Sequence, residues 1–553
     1  MQTLKMVALG GMGSVTQNMF VYEYEDEILL VDCGIGFPDS YMPGVDVLIP
    51  DIRYLLTEIE QGKKIVGLVF SHGHDDHIAA APYLLQYLPE FPLFGSPLTA
   101  RFAESRMSDG GLSKTVTVIA NTDVVRISDN FSVQLIPVTH SVPDTRHVVI
   151  RTPEGIIYHG SDFKLDNNPV DGQKTDEQLI RSIGDEGVLC MNIDCLRVER
   201  SERTPSESSV GPSLFKLMQE THGKHIVTLM SSHLHRIQQV IDAAEQLHRK
   251  VAFVGRSVEQ NVKVALDLNK LHVKPGTLVD KKDMGDIRDS ELCVIVAGSQ
   301  GQEGSSLMRA IFGEHPVLQI KQADTVVFSA DVIPGNELAY FAAIDELFRT
   351  GVHVQYPDIM PTIHSSGHAS LPEQLDVLSW VHPRYVLPIG GADRHRYLFS
   401  QAVVEGKHMD NDQVLLPNSG EIIGFSAGNV RSIDQLTLQP QVVDGLGVGD
   451  VGPVVLSDRR ALSEAGMVVV VLPRMKNEYL LKEMTVVSRG FIFMREAQEV
   501  IEFMKQTVAE IVAEQGDALK DDELKKTIER RLARKLYKII KREPLIVAVI
   551  LDV

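Results

Sequence analysis

The sequence contains little cysteine, and none of it is arranged in a C-x-x-C pair. Only four cysteines, Cys33, Cys190, Cys195 and Cys293, occur among 553 residues. A disulfide framework needs more cysteines at closer spacing, and reduced thiols are typical of intracellular proteins. We therefore expect free thiols and a cytoplasmic location.

Long apolar runs are missing as well. No stretch reaches the ~18 apolar residues that a bilayer crossing needs. Glycines interrupt the first fifteen residues, so these lack the apolar segment of a signal peptide. We predict a protein with no membrane partner.

Basic residues are fewer than acidic ones, with 54 Lys and Arg against 74 Asp and Glu and a net charge of −20. This balance argues against binding of polyanions through the overall field, although it leaves a local cationic cleft open. The hydrophobic fraction of 44% is ordinary for a folded soluble chain. At about 150 residues per domain, the length predicts three or four domains.

The predicted secondary structure changes character along the chain. The first 160 residues read as short apolar strands, with a helix predicted at Ile78–Tyr87. From about residue 225 to 355, apolar strands alternate with helical patterns, which is typical of βαβ units on a parallel sheet. Glycines in Asp444–Gly452 indicate a turn or linker. The remainder predicts strands and two long helices, Arg495–Glu514 and Asp521–Arg542.

The most informative motif is the string Ser-His-Gly-His-Asp-Asp-His at residues 71–77. It follows the apolar strand Ile65–Phe70, so a loop at the strand end can wrap its imidazoles and carboxylates around an ion. These ligand types suit zinc or manganese. The alternative is a solvated turn, but the H-x-H-x-D-H spacing favours metal binding.

Three further residues follow predicted strands: Asp32, His140 and Asp162. Each one alone is more often a turn residue, but together they complete a pattern for two ions. We predict that one ion is held by His72, His74 and His140. The other would be held by Asp76 and His77, with Asp162 bridging and Asp32 orienting the ligands. Two such ions activate water and clamp both oxygens of a phosphoryl displacement.

These motifs resemble those of the metallo-β-lactamase superfamily, and the whole chain resembles the bacterial ribonuclease J family, whose members carry an inserted β-CASP domain. The supporting strings run from one end of the chain to the other: Leu9–Gly13, His140–Asp144, Asp162–Lys164, Thr204–Glu207, Gly298–Gly301, His364–His368 and Ser488–Phe491.

The resemblance implies an α/β fold: a metallo-β-lactamase αββα sandwich with an inserted, doubly wound β-CASP domain and a small α+β C-terminal domain. The implied boundaries are 1–208 and 368–435 for the sandwich, 209–367 for the β-CASP domain, 436–452 for a linker and 453–553 for a C-terminal oligomerisation domain.

The resemblance also implies roles for individual residues. His368 and Glu207 match β-CASP motifs and would be catalytic together with Asp76, with His368 stabilising charge or protonating the leaving oxygen. The implied substrate-binding residues lie near strand ends and in one loop: Ser299, Gln300, His364, Ser366, Gly367 and His368.

The sequence departs from the active family pattern at two places. Gly390 stands where active members carry a histidine ligand of the second ion, and His395 is a weak substitute five residues on. Cys195, Leu196 and Arg197 replace a run of small polar residues. Both departures resemble the second, less active paralogue of the family.

The resemblance therefore implies a metal-dependent ribonuclease with weak 5′→3′ exonuclease activity on 5′-monophosphorylated RNA, with endonucleolytic cleavage as a second activity. Its cofactors would be two divalent ions of zinc, manganese or magnesium, the second held weakly or absent. The alternative is a largely non-catalytic subunit of an active paralogue. Expected partners are RNA, further copies in a homodimer or homotetramer, and that paralogue. A small-molecule hydrolase is disfavoured, because such enzymes lack the inserted βαβ region.

Overall fold

The computed structural model describes all residues except 1, 40, 334, 440, 446, 450, 477, 492–496 and 516–517. The chain forms two compact units. One comprises residues 1–37 and 48–441, and the other comprises residues 38–47 and 442–553.

Two sheets of the first unit pack face to face, and apolar side chains from both fill the space between them. The larger sheet has, in spatial order, strands Asn429–Gln435, Glu421–Ser426, Leu4–Gly10, Met19–Tyr24, Glu27–Val31, Lys64–Val69, Leu93–Gly95 and Val116–Val118. The smaller has strands Tyr385–Ile389, Val188–Asp194, Gly155–His159, Arg146–Thr152, Ser132–Pro137 and Val125–Arg126.

Helices accompany the sandwich because one stripe of each is apolar. Ile180 and Ile183, for example, pack with Val377 and Phe399 against the outer face of the smaller sheet. The helices of this part are Arg53–Glu60, Asp75–Ile78, Ala81–Leu84, Pro97–Asp109, Glu177–Gly187, Leu371–Val381 and Asp393–Glu405.

A five-stranded parallel sheet lies in the chain between the two parts of the sandwich. Its strands are, in spatial order, Lys250–Val254, Leu292–Val296, His225–Thr228, Thr325–Phe328 and His353–Gln355. Its helices are Gly211–Glu220, Leu234–Gln246, Arg256–Asp267, Ser306–Ile311 and Glu337–Thr350. The first strand in sequence lies at the centre, so the connections diverge to both sides of it and leave a crevice at the carboxyl ends of the strands.

The second unit has its own core between a sheet and two helices, built from residues such as Val470, Ile511 and Leu532. Its sheet joins Glu478–Tyr479, Met467–Met475, Thr485–Arg489 and Leu545–Asp552, and its helices are Pro453–Ala465, Ala497–Gln515 and Asp521–Ile540. Further short strands are Val47–Ile49, Gln441–Asp444 and Gly447–Val448.

The predicted α/β fold class is confirmed, and the predicted βαβ elements fall within a few residues of the observed ones. The helix predicted at Ile78–Tyr87 is confirmed in part: Ala81–Leu84 and Leu85–Tyr87 are helical, but the chain is interrupted before them, because the Ala80 N–H bonds the Cys33 carbonyl (2.9 Å) and Pro82 has no N–H. Within the predicted linker 436–452, the residues from 441 to 448 carry two short strands; Pro440, Leu446 and Asp450 lie outside the described residues, as does the predicted helix start at Arg495.

None of the helices in the described ranges has both the length and the apolar character that a bilayer crossing requires. All four cysteines are buried and unpaired.

The core of the five-stranded sheet gives a stability prediction. Phe328 is fully buried and packs edge-to-face on Tyr340 with ring centroids 5.5 Å apart. We expect Phe328→Ala to lower the unfolding free energy by about 3–5 kcal/mol, because it removes a large apolar side chain and leaves a cavity. Chemical denaturation followed by circular dichroism measures this change. Phe348→Ala is the control: its side chain is 50% exposed, so the midpoint should hardly move. Equal shifts for the two variants would contradict the assigned core.

Candidate metal centre and cavity

The ends of five strands carry residues of the candidate site. In the larger sheet, Asp32 and His72 follow the parallel neighbours Glu27–Val31 and Lys64–Val69. In the smaller sheet, Gly155–His159, Val188–Asp194 and Tyr385–Ile389 are parallel neighbours, so Asp162, Asp194 and Gly390 meet at one edge.

His72, His74, His140 and Asp162 form a compact cluster whose ligand atoms all lie within 4.8 Å of one another. His74 Nδ1 lies 3.0 Å from His72 Nε2 and 3.1 Å from His140 Nε2. Asp162 Oδ2 lies 3.6 Å and 3.7 Å from the same two Nε2 atoms. A tetrahedral ion with bonds of about 2.0–2.1 Å has ligand atoms about 3.3 Å apart. The four side chains therefore fit one divalent ion.

Asp76 and His77 lie on the other side of Asp162. His77 Nε2 is 3.5 Å from Asp76 Oδ2 and 3.6 Å from Asp162 Oδ2. The side-chain amide Nδ2 of Asn18 also lies within hydrogen-bond distance of His77 Nε2 (3.1 Å). His77 thus contacts both Asp76 and Asp162, and the second site with a shared Asp162 stays a prediction.

Hydrogen bonds outside the cluster fix the orientation of its imidazoles. His140 Nδ1 donates to the Gly367 carbonyl (2.7 Å), and His77 Nδ1 donates to Asp32 Oδ2 (2.7 Å). Because these outer nitrogens donate to fixed acceptors, the Nε2 atoms of both rings are directed at the cluster. Asp32 also accepts from the Ser71 N–H (2.7 Å), so its carboxylate contacts both ends of the 71–77 string.

Burial sets the protonation of the cluster. It lowers the pKa of His74 to about 4, and burial and the neighbouring His77 hold the pKa of His72 well below its usual range. Neutral imidazoles at pH 7 are the form that binds metal. Burial opposes ionisation of Asp162, but the charges of His77 and His368 outweigh it and keep its pKa low.

Asp194 is a site residue that the sequence prediction missed. Its Oδ2 accepts a hydrogen bond of 2.7 Å from His368 Nδ1, and its carboxylate is fully buried. Burial opposes protonation of His368, but Asp194 and Asp162 outweigh it and raise its pKa to about 9. His368 Nε2 lies 3.9 Å from Asp162 Oδ2, at the edge of the cluster.

The structure places the Glu207 carboxylate in a buried charge pair rather than among the grouped ligand residues. Its carboxylate binds the Arg236 guanidinium through both oxygens, at 2.5 and 2.7 Å, and accepts from Gln239 Nε2 at 2.9 Å. Arg236 is fully buried and also donates to the carbonyls of Ile363 and Ser365. The acid beside His368 is Asp194, so the position of Glu207 favours support of the 363–365 backbone rather than direct catalysis.

A cavity of about 960 Å³ opens over the cluster and reaches the carboxyl ends of the five-stranded sheet. It is lined by all of the predicted substrate-binding residues: Ser299, Gln300, His364, Ser366, Gly367 and His368. The Gln300 side chain is engaged, since it donates to the Asp331 carbonyl (2.9 Å) and accepts from the Ile333 N–H (2.7 Å). Gly367 has no space for a side chain, because a Cβ would lie 2.9 Å from His140 Cε1.

Three residues that depart from the family pattern, Gly390, Leu196 and Arg197, lie beside Asp194 or line the cavity. Gly390 has φ +67° and follows the strand beside Asp194. His395 is not part of the cluster, because its Nδ1 accepts from the Ala392 N–H (3.2 Å) and its Nε2 lies 3.9 Å from Glu199. Leu196 and Arg197 line the cavity.

An αββα sandwich with a His- and Asp-rich centre at its strand ends defines a metallo-β-lactamase fold. The model of the metallo-β-lactamase superfamily matches residues 12–167, that of the ribonuclease J β-CASP domain matches residues 222–347, and that of the ribonuclease J C-terminal domain matches residues 454–553.

Curated relatives cover nearly the whole chain. Ribonuclease J of Thermus thermophilus is 37% identical over 88% of this chain and 85% of its own. Ribonuclease J 1 of Streptococcus pyogenes is 33% identical over 98% and 97%, and ribonuclease J2 of Bacillus subtilis is 32% identical over 100% and 99%. The chain belongs to the ribonuclease J family. The identities to ribonuclease J 1 and ribonuclease J2, 33% and 32%, do not assign the chain to one of these two paralogues.

A crystal structure of an Enterococcus faecalis protein of unknown function has the same fold. It covers 76% of this chain and all of its own, with a TM-score of 0.53 and 16% identity.

The contacts of Glu207 predict a structural phenotype. Burial opposes ionisation of Glu207, but Arg236 and His233 outweigh it and hold its pKa well below the usual range. Glu207→Gln leaves Arg236 as an unpaired buried charge, so we expect a loss of about 3–5 kcal/mol of unfolding free energy. The pKa of Glu207 is lower in the folded protein than in the unfolded one. The stability difference between wild type and Glu207→Gln is therefore fully present above the unfolded pKa of about 4.3, and it shrinks as pH falls through the folded pKa.

Denaturation of wild type and variant at pH 7 and at pH 4 measures this difference. Glu199→Gln, whose side chain is 47% exposed, is the control and should shift little. If Glu207→Gln abolished activity without loss of stability, the supporting role would be wrong and the predicted catalytic role would stand.

Proposed function

We propose that this protein is a metal-dependent ribonuclease that degrades 5′-monophosphorylated RNA from its 5′ end, with reduced activity and with endonucleolytic cleavage as a second activity. The observation that carries the proposal is the His72–His74–His140–Asp162 cluster at the base of a cavity shared with the five-stranded sheet. Family membership supports the substrate, since the curated relatives are named as ribonucleases.

Two divalent ions of zinc, manganese or magnesium would be held by His72, His74, His140, Asp76, His77 and Asp162. When bound, such ions activate water at neutral pH and offset charge on phosphate oxygens. The chain itself supplies ordered ligands, because His77 and His140 are locked by outer hydrogen bonds. Burial excludes competing water.

His368 is the proposed proton donor to the leaving oxygen. With a pKa of about 9 it is protonated at neutral pH, and its Nδ1–H bond to Asp194 leaves Nε2–H directed to the cluster edge. Asp194 thus positions His368 and keeps it charged. Asp76 would act as a ligand at the same centre.

The cavity provides the proposed RNA site. Backbone amides at Ser299 and Gln300 follow the strand Leu292–Val296, where a phosphate can be held at the carboxyl end of a parallel sheet. His364, Ser366 and Gly367 face the same cavity from the loop beside the metal ligands. A negative net charge is compatible with this site, because RNA would meet ions and amides rather than the overall field.

Reduced activity follows from Gly390, which carries no ligand atom for the second ion. The same observation supports the second candidate function, a largely non-catalytic subunit of an active paralogue. The proposed assemblies are a homodimer or homotetramer through the C-terminal unit, and a hetero-oligomer with that paralogue. Buried, unpaired thiols support a reducing compartment, the cytoplasm.

The activity is tested with protein purified free of any paralogue. We expect Mn²⁺- or Mg²⁺-dependent release of mononucleotides from 5′-monophosphorylated RNA, slower release from 5′-hydroxyl RNA, and at least a hundredfold loss in His74→Ala. His408→Ala, an exposed imidazole of the same unit, is the matched control and should keep the wild-type rate. If wild type degrades RNA no faster than His74→Ala, the enzyme proposal fails. Co-purification with the paralogue would then support the subunit function.

A second prediction concerns the missing ligand. At Gly390 a Cβ has space, since the nearest non-neighbouring atom is 3.6 Å away, but the positive φ costs about 1–2 kcal/mol for any side chain. We expect Gly390→His to tighten binding of the second ion and to raise the cleavage rate. Gly390→Ala carries the same backbone cost without a ligand and should do neither. Equal behaviour of the two variants would contradict the ligand-loss account.

A further inference from the structure

Two buried carboxylates face the space above Gly390. A Cβ at this position would lie 3.6 Å from Asp194 Oδ1 and 3.8 Å from Asp162 Oδ1. Both carboxylates are at least nine-tenths buried. A side chain at residue 390 would therefore point between Asp162 and Asp194. Because residue 390 is glycine, the two carboxylates border a space that no side chain of residue 390 fills.

Asp194 is held in place but retains coordinating capacity. Its Oδ1 accepts from the Leu196 N–H (2.8 Å), and its Oδ2 accepts from His368 Nδ1 (2.7 Å). Each carboxylate oxygen has two lone pairs, so each keeps one free. Ligand atoms of Asp194, Asp162 and His368 all lie within 4.8 Å of one another.

The charge balance favours a cation at this place. Asp162 is the acid at which two pairs meet: His77 Nε2 lies 3.5 Å from Asp76 Oδ2 and 3.6 Å from Asp162 Oδ2, and His368 contacts both Asp194 (2.7 Å) and Asp162 (3.9 Å). Like charges that are buried together are costly unless an opposite charge is shared between them. A divalent ion next to Asp162 would offset that cost.

We propose that Asp194 takes the coordinating role left open by Gly390, so that the second ion is held by Asp76, His77, Asp162 and Asp194. This inference rests on the proposed function, because it takes the same cluster as the metal centre. The second site then has three carboxylates and one imidazole, whereas the first has three imidazoles and the shared carboxylate. An oxygen-rich site prefers Mn²⁺ or Mg²⁺, and a nitrogen-rich site suits Zn²⁺.

Metal binding tests the proposal without any RNA. The full chain is stripped with a chelator and dialysed against Mn²⁺, and bound metal is measured by mass spectrometry. We expect two Mn²⁺ per chain in wild type and at least tenfold weaker binding of the second ion in Asp194→Asn, with the first ion retained. Asparagine keeps the shape and one of the two acceptor oxygens of Asp194. Asp109→Asn, an acid of the same cavity outside the cluster, is the control and should bind two ions.

Competition with Zn²⁺ tests the ligand chemistry in the wild type alone, so the proposal stays testable if Asp194→Asn fails to fold. We expect Zn²⁺ to displace Mn²⁺ readily from one site and at least tenfold less readily from the other. Addition of Gly390→His to Asp194→Asn should restore the second ion, because it returns an imidazole to the same space.

Wild-type binding of a single ion, undiminished binding of two ions by Asp194→Asn, or equal Zn²⁺ preference at both sites would overturn the inference. Failure of the proposed function gives a different result: two Mn²⁺ bound as expected with no cleavage of RNA.

Discussion

One buried carboxylate, Asp162, organises the centre of this protein. Its Oδ2 lies between 3.6 and 3.9 Å from ring nitrogens of His72, His77, His140 and His368. Those imidazoles come from three separate segments of the chain, and burial makes each of them costly to charge. The shared carboxylate of Asp162, and any cation that it binds, offsets the free-energy cost of bringing these imidazoles together in a buried place.

A second buried charge pair supports the centre from the side of the inserted sheet. Arg236 is fixed by Glu207 and donates to backbone carbonyls that precede the 366–368 loop. Buried pairs of this kind contribute little net stability when complete, but loss of one partner is severe. The pair therefore acts as a structural requirement for the loop that carries His368.

The sequence was informative where function lies in contiguous residues. The string at residues 71–77 and the strand-terminal Asp32, His140 and Asp162 could be predicted, because ligand spacing and strand ends are local features. The parallel strands of the inserted sheet were predictable from their alternation with helices, for the same reason.

Other parts of the site could not be predicted in this way. Asp194 and His368 are 174 residues apart, and their hydrogen bond joins the end of the strand Val188–Asp194 to the loop before the helix Leu371–Val381. The one available signal was an acid ending the strand Val188–Asp194 directly before the atypical run at 195–197. Glu207 had the stronger motif resemblance, but burial and Arg236 give it a different environment.

The carbonyl of Gly367 has a consequence for how substrate and metal affect each other. It accepts a hydrogen bond from His140 Nδ1, so the loop that faces the cavity also sets which ring nitrogen of this candidate ligand carries the proton. If a cavity ligand changes the affinity of the cluster for an ion through this loop, the ion must change the affinity for that ligand by the same factor. Binding in the cavity and binding at the candidate metal centre are in this way coupled through a single backbone carbonyl.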